Sequence, residues 1–362
     1  MAWSLTGEPL RRKGAHTLSP MMLRIRPDKI SSSCIPFGFG PYLNVDLTPT
    51  CREGAATVCR VITERSHYGE LELTSGRISK LIPGDIIVGV LGNRAALRGF
   101  SGRVPDQVAQ GDELSLLNMG GVLGVTEGRM VGLGEPIKVE VIGTPLLKGA
   151  PALLHEFSLP DIGKVAKPPA LIAVAGTCMN SGKSTACSAI IRELKSKGLV
   201  VHAGKATGVA AIRDPLSFRD HGANLALSFL DCGIPSTARR KDTPEICIRL
   251  LDHLSADEPD AIILELGDGL MGAYRVDEIL EDPEIKSRIT GVILAANDVV
   301  GGWAGVQQLR ALGLNVICVT GPATDNLAGI EKFESLGVPA ANILREPRKM
   351  FDLAAAALEA AK

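Results

Sequence analysis

The chain has 362 residues, with 39 basic and 40 acidic side chains and a formal net charge of -1. This balance argues against the broad basic surface that binds nucleic acid or anionic membranes, so we expect a small-molecule partner. The length favours two domains. Hydrophobic residues make up 45% of the chain, but no run approaches the roughly 18 apolar residues of a membrane-spanning helix.

The eight cysteines are scattered and form no Cys-x-x-Cys pair. This usage is typical of a reducing cytosol and argues against a disulfide framework or a structural zinc site, so we expect a cytoplasmic protein. Residues 1–33 begin with a basic segment that lacks an apolar core and a cleavage site. We interpret them as a flexible leader, with an organelle transit peptide as the alternative.

Residues 34–150 consist of short apolar runs separated by turn residues, as in GDIIVGVLGN and EPIKVEVIGT. Such spacing predicts a β-rich domain, either a small barrel or a sandwich. The run GNRAALRGFSGR places polar side chains among glycines at Asn93, Arg94, Arg98 and Arg103. An anion-binding loop and a solvated basic hairpin both fit this run, and the pattern favours the hairpin.

Residues 151–169 mix prolines, glycines and charges without a steady period, which predicts an interdomain linker. From 170 to 362 the pattern changes, because apolar strands such as LIAVAG and AIILELG alternate with segments of helical spacing. The alternation predicts an α/β domain with a mostly parallel sheet flanked by helices. Ligands of such sheets bind at the carboxyl ends of the strands.

The stretch GTCMNSGKST, residues 176–185, lies between a predicted strand and a predicted helix. In this setting glycines let the backbone approach a polyphosphate, Lys183 adds a positive charge, and the Ser184 hydroxyl joins a Mg²⁺ shell. The usual motif has four residues between its glycines, whereas this loop has five. We predict nucleotide contacts from Gly176, Thr177, Asn180, Ser181, Gly182, Lys183, Ser184 and Thr185.

A loop that starts Gly-Thr, runs five residues and ends Gly-Lys-Ser resembles that of dethiobiotin synthetase and of the cobyrinic and cobyric acid amide synthases, which belong to the SIMIBI class of P-loop NTPases. The resemblance extends over 170–362. It implies that ATP and Mg²⁺ activate a carboxylate or carbamate for ring closure or amide formation. These relatives often place the substrate site at a subunit interface, so a homo-oligomer is an open expectation.

Two further predicted strands end in charged residues. VVHAGKATG resembles dethiobiotin synthetase, which implies that Lys205 binds the substrate anion or the transferring phosphoryl group; a lysine that leaves the strand for solvent is the alternative. AIILELGDG carries Glu265 and Asp268, and either carboxylate would serve Mg²⁺, with Glu265 favoured. We therefore predict catalytic roles for Lys183, Lys205 and Glu265, and a metal site of Ser184, Glu265 and Asp268.

Polar residues follow other predicted strands as well. Residues 209–224, VAAIRDPLSFRDHGAN, fit either a substrate lid or a capped surface helix. Asn297 and Asp298 would line a base or substrate pocket, whereas Asp325 is expected to be the N-cap of the next helix.

GTCMNSGKST, KATGVAA and the order of the two domains also resemble a P-loop family that includes a D-amino-acid N-acetyltransferase. The leading hypothesis is a Mg-ATP enzyme that activates or ligates a small anionic substrate, either a carboxylate or an amino-acid-like molecule. An acyl-CoA-dependent N-acetyltransferase and a non-enzymatic nucleotide-gated regulator or metallochaperone are the alternatives. ATP is preferred over GTP because the sequence contains no Asn-Lys-x-Asp motif.

Overall fold

The computed structural model describes residues 22–64 and 69–360. Its described residues form an 11-stranded sheet and a separate two-stranded sheet, Glu70–Glu72 with Ile78–Lys80, in the N-terminal half. A six-stranded sheet flanked by helices forms the C-terminal half, which confirms the predicted fold class. The N-terminal strands are β1 (Met22–Ile25), β2 (Lys29–Ile30), β3 (Leu43–Asp46), β4 (Ala56–Val61), β5 (Glu70–Glu72), β6 (Ile78–Lys80), β7 (Ile86–Leu91), β8 (Arg94–Ala95), β9 (Phe100–Arg103), β10 (Glu113–Leu116), β11 (Val122–Arg129), β12 (Lys138–Leu147) and β13 (Ala150–Pro151).

Five of these strands close into a ring, in the order β4, β7, β11, β10 and β12. The β7–β11 contact is parallel and the other four contacts are antiparallel. Buried apolar side chains fill one face of these strands, among them Cys59, Ile87, Leu123 and Val139. Of the two predicted forms, the N-terminal domain therefore adopts a small barrel, whose closure pairs strands that would otherwise be edges.

The boundaries of this domain differ from those predicted. β1 pairs with β3 and β2 pairs with β7, so the sheet begins before residue 34 and part of the predicted leader is structured. Residues 1–21 lie outside the described residues. The predicted linker is also packed, because residues 154–157 form a 3₁₀ helix whose Leu154 is buried in the core.

The strands of the C-terminal sheet are β14 (Ala170–Gly176), β15 (Val201–Lys205), β16 (Leu225–Ser228), β17 (Ala261–Glu265), β18 (Ile289–Ala295) and β19 (Val316–Thr320). The sheet is parallel, with strand order β16–β15–β17–β14–β18–β19. The near-continuous apolar runs of β14 and β17 suit strands that are covered on both faces. Because all six strands run the same way, the segments that follow them meet at one edge.

Helices cover both faces of this sheet. They are α1 (Lys183–Ser196), α2 (Arg213–Asp220), α3 (Thr243–Ser255), α4 (Val276–Glu281), α5 (Pro283–Arg288), α6 (Val299–Ala311), α7 (Leu327–Ser335) and α8 (Pro347–Ala360). Side chains of α1 and α8 pack on the face that includes Ile172 and Val174, and those of α3 and α6 pack on the face that includes Leu171 and Ala173. No helix among the described residues is long and apolar enough to cross a membrane.

The two domains share one buried apolar cluster, which includes Val88 and Val90 of the barrel and Phe229 and Ile234 of the C-terminal domain. Their backbones also approach closely at Gly120. A Cβ atom there would overlap the carbonyl oxygen of Ala210. Only a glycine therefore allows this approach.

We expect Gly120→Ala to lower the free energy of unfolding by about 1–3 kcal/mol, because the added methyl group pushes two backbones apart. Chemical denaturation measures this change. Gly40→Ala is the matched control, since a Cβ at that exposed glycine meets nothing within 4 Å. Equal stability of the two variants would contradict the expectation.

Candidate phosphate-binding site between the two domains

The loop between β14 and α1 has the backbone form of a phosphate cradle. β14 ends at Gly176 and α1 begins at Lys183. Asn180 and Gly182 have left-handed backbone angles, with φ of 59° and 96°. Since the first N–H groups of a helix have no intrahelical acceptor, the start of α1 presents donors and a positive dipole end to an anion.

Lys183 lies inside this loop. It is 6% exposed, and its Nζ donates hydrogen bonds to the carbonyl oxygens of Cys178, at 2.9 Å, and Asp268. Burial lowers the pKa of Lys183, while the Glu265 and Asp268 carboxylates act against that shift. The ammonium is therefore hydrogen-bonded to carbonyl oxygens, and a bound phosphate would replace them as its partner.

The predicted loop residues divide into two groups. Residues 180–185 line a cavity, so Asn180, Ser181, Gly182, Lys183, Ser184 and Thr185 lie at its surface. Gly176 and Thr177 lie behind the loop. A Cβ on Gly176 would collide with Ser181 and Lys183, and the Thr177 hydroxyl accepts a hydrogen bond from the Asn297 N–H at 3.3 Å.

Lys205 and Glu265 lie side by side at the carboxyl edge, because they are register partners on β15 and β17. The Ser184 Oγ donates a hydrogen bond to Glu265 Oε1 at 3.1 Å. The other oxygen, Oε2, is buried and has no hydrogen-bond partner among the described residues. Burial and the nearby Asp214 carboxylate raise the pKa of Glu265.

A hydroxyl and an unsatisfied carboxylate oxygen are hard ligands of the kind that Mg²⁺ prefers. The described residues contain no group of three or more His, Cys, Asp or Glu side chains suited to a metal. A Mg²⁺ ion in nucleotide sites takes only one or two carboxylates, together with phosphate oxygens and water. Ser184 and Glu265 therefore fit this ion.

Asp268 lies on another side of Lys183. Its backbone is left-handed, with φ of 66°, and its side chain is 8% exposed. Neither carboxylate oxygen has a hydrogen-bond partner among the described residues. Burial raises the pKa of Asp268, and the positive charges of Lys183 and Arg94 offset part of the shift. The sequence left open which of two carboxylates would bind Mg²⁺, and the two have different neighbours. Glu265 adjoins Ser184, and Asp268 interacts with Arg94.

Lys205 forms a buried ion pair with Asp214, which lies in the first turn of α2. Burial lowers the pKa of Lys205, but the Asp214 and Glu265 carboxylates outweigh that effect and raise it. Burial likewise opposes ionisation of Asp214, and the Lys205 ammonium overcomes it and lowers the pKa of Asp214. Lys205 is therefore held charged in the structure, rather than extending into solvent.

The cavity has a volume of about 1030 Å³ and is bounded by both domains. From the N-terminal domain it receives Glu70, Arg94, Arg98, Asn118, Met119, Met130 and Leu133. Arg94 is buried, and one of its guanidinium N–H groups donates to the carbonyl oxygen of Leu117. The predicted solvated hairpin is therefore wrong for Arg94, which packs under Gly99, where any Cβ would collide with the guanidinium. Arg103 does form exposed ion pairs, with Asp106 and Glu127.

The other polar segments fall partly inside the site. Arg213 and Asp214 of α2 line the cavity. Asp298 instead caps α6 by accepting a hydrogen bond from the Gly301 N–H at 2.8 Å. The expectation that Asp325 caps the next helix is wrong, because Asn326 takes that position and Asp325 accepts from the Asn342 side chain.

The sequence carried no prediction for several residues through which the N-terminal domain reaches the site. Glu72 and Asn118 bind backbone groups of the C-terminal domain. The Ala95 N–H donates at 3.2 Å to the hydroxyl of Tyr274, a cavity residue of the C-terminal domain. Lone polar residues in short strands and turns carry no spacing pattern. The only available signal was the glycine-rich setting of Arg94 and of Asn118.

Neither protein-family profiles nor curated protein sequences match this chain. Among solved structures, chloroplast FtsY from Physcomitrella patens is 13% identical with a TM-score of 0.36, and 52% of this chain aligns with 62% of that one. Cell division protein FtsY from Thermotoga maritima is 18% identical with a TM-score of 0.36, over 52% and 66% of the two chains. The kinase domain of Escherichia coli tyrosine kinase ETK is 14% identical with a TM-score of 0.32, over 42% and 66%.

The chain thus spans less than two thirds of the length of each of these proteins, and likeness at these TM-scores carries no argument about function. The loop itself is more informative. A parallel strand, a glycine-containing loop with a buried lysine and a following helix together define a P-loop domain in residues 170–360.

Proposed function

We propose that the protein is a P-loop enzyme that uses Mg-ATP to activate a small anionic substrate in the cavity between its domains. The observation that carries this proposal is the pair of lysines on one cavity, Lys183 and Lys205. They lie near enough for the positive charge of Lys205 to lower the pKa of Lys183. Two cations held together at a helix N-terminus suit a polyanion between them.

Each group has a role in this proposal. Lys183 would leave its two carbonyl partners and bind the outer phosphate oxygens, while the loop N–H groups hold the remaining phosphates. Ser184 and Glu265 would hold Mg²⁺, which neutralises charge that develops on the phosphates. Lys205 would stabilise the γ-phosphoryl group as it leaves ADP and bonds to a carboxylate oxygen of the substrate.

The substrate would occupy the part of the cavity that the phosphates leave empty. Arg98 and Arg213 line the cavity outside the β14–α1 loop and take part in no ion pair with the described residues. Both are exposed, and Arg98 belongs to the N-terminal domain whereas Arg213 belongs to the C-terminal one. Two arginines on opposite domains suit a carboxylate, to which guanidinium groups bind in a bidentate manner.

The test combines calorimetry with a turnover assay. We expect ATP to bind with Mg²⁺ and to lose most of its affinity without it, and we expect ADP release to rise with at least one member of a carboxylate panel. Mg-ATP at about 100 times its dissociation constant would stabilise the fold by about 2.7 kcal/mol. Acetyl-CoA binding in the absence of ATP binding would contradict the proposal and favour the N-acetyltransferase. Binding of ATP without carboxylate-dependent turnover would favour a nucleotide-gated regulator.

A further inference from the structure

The β15–α2 loop, residues 206–212, connects Lys205 to Asp214 and forms one wall of the cavity through Gly208, Val209 and Ala211. The ion pair between Lys205 and Asp214 closes this loop at its two ends. The contacts of this loop therefore determine where both charges lie. The loop makes hydrogen bonds to the N-terminal domain.

Glu72, on β5 of that domain, is fully buried. Its carboxylate accepts hydrogen bonds from the backbone N–H groups of Ile212, at 2.8 Å, and Arg213, at 3.0 Å. The Ser32 hydroxyl, also in the N-terminal domain, donates to the same carboxylate. Glu72 thus binds the first turn of α2 from outside its own domain and satisfies N–H groups that the helix leaves unpaired.

Asn118 makes a second attachment. Its side-chain amide donates to the carbonyl oxygen of Ala210 at 2.7 Å, and its Oδ1 accepts from the Val122 N–H at 2.9 Å. The side chain is 6% exposed. Asn118 therefore connects the turn before β11 to the middle of the β15–α2 loop. This contact lies next to the close approach of the Gly120 and Ala210 backbones.

We infer that Glu72 and Asn118 are positioning residues for the phosphate-binding site. They fix the β15–α2 loop and, through Asp214, they set the position of the Lys205 ammonium. Neither side chain needs to touch a ligand for this. The N-terminal domain is then a structural part of the nucleotide site. This inference rests on the proposed function only where it concerns nucleotide affinity.

Hydrogen exchange without nucleotide tests the positioning directly. In Glu72→Gln, one of two backbone N–H groups faces an amide NH₂ in place of an acceptor, so amides of segment 206–216 should exchange about 10-fold to 100-fold faster. Asn118→Ala should accelerate the same segment. Glu140→Gln is the control, since Glu140 forms an exposed ion pair with Arg60 on the barrel, and it should leave segment 206–216 unchanged. Unchanged exchange in both Glu72→Gln and Asn118→Ala would overturn the inference.

A double-mutant cycle then tests the link to Lys205. Lys205→Ala should weaken Mg-ATP binding about tenfold in the wild-type background and less than about twofold in Glu72→Gln, because the ammonium is already displaced there. Independent, additive effects would overturn the link. A wild-type protein that binds no Mg-ATP would refute the proposed function, and the exchange experiment would still decide the inference. Should Glu72→Gln not fold, Asn118→Ala takes its place in both experiments.

Discussion

Lys183→Ala is expected to raise the dissociation constant of Mg-ATP at least about 100-fold. A hydrogen bond to a charged group contributes about 1.5–3 kcal/mol, and each 1.4 kcal/mol corresponds to a tenfold change in affinity. Lys183 combines such bonds with its position inside the loop, where burial already disfavours its charge and an anion would restore it. Calorimetric titration measures the change directly.

The control for this prediction lies on the same helix. Lys195 is exposed and lies in the last turn of α1, far along the helix from the loop, so Lys195→Ala should bind Mg-ATP like the wild type. Thermal denaturation checks that Lys183→Ala is folded. A folded Lys183→Ala variant with unchanged affinity would refute the assignment of this loop to phosphate.

Asp268→Asn is expected to raise the free energy of unfolding at neutral pH by about 1–3 kcal/mol. A buried carboxylate without hydrogen-bond donors is costly, and the charges of Lys183 and Arg94 offset only part of that cost, so a neutral amide is tolerated better at this place. Asparagine also tolerates the left-handed backbone of residue 268, with its φ of 66°. Denaturant unfolding of the two proteins gives the difference.

The pH dependence has a definite sign. Burial raises the pKa of Asp268, so the folded state favours the protonated form. Asp268 therefore contributes most to the free energy of unfolding below its unfolded-state pKa, about 3.9. This contribution is lost as the pH rises through the pKa of Asp268 in the folded state. The advantage of Asp268→Asn should grow over that interval and then level off.

The comparison variant is Asp257→Asn, because Asp257 is exposed beyond the end of α3. It should change the free energy of unfolding by less than about 0.5 kcal/mol at any pH. An Asp268→Asn variant that is less stable than the wild type at neutral pH would show that the carboxylate has a partner in solution. It would also contradict its assignment as an unsatisfied group.

Much of the C-terminal domain could be predicted because its signals are local. Apolar runs such as β14 and β17 predict a parallel sheet. In a parallel sheet the residues that follow each strand meet at one edge. The positions of Lys183, Lys205 and Glu265 at this edge follow from their places at a strand end or in a loop, without knowledge of long-range contacts. Their catalytic roles remain predictions.

The residues that the N-terminal domain contributes to the site could not be predicted, because their contacts are not local in the sequence. Arg94 has the flanking glycines of an exposed hairpin, and only the docking of two domains shows that it is buried beside the cavity. Glu72 ends a three-residue strand, and its partners, Ile212 and Arg213, lie about 140 residues further along the chain. Local sequence patterns do not report such pairings. The cytoplasmic location and a homo-oligomer remain predictions.

The two domains contribute different groups to this cavity. The groups that would hold phosphate come from one domain, whereas Arg98 comes from the short hairpin that follows β7 of the barrel. Arg98 is exposed on that hairpin and lies outside the five-stranded ring, so its substitution leaves the strand pairs of the ring unchanged. Under the proposed function, substitutions in the exposed part of this hairpin would change substrate binding and leave the phosphate-binding loop unaltered.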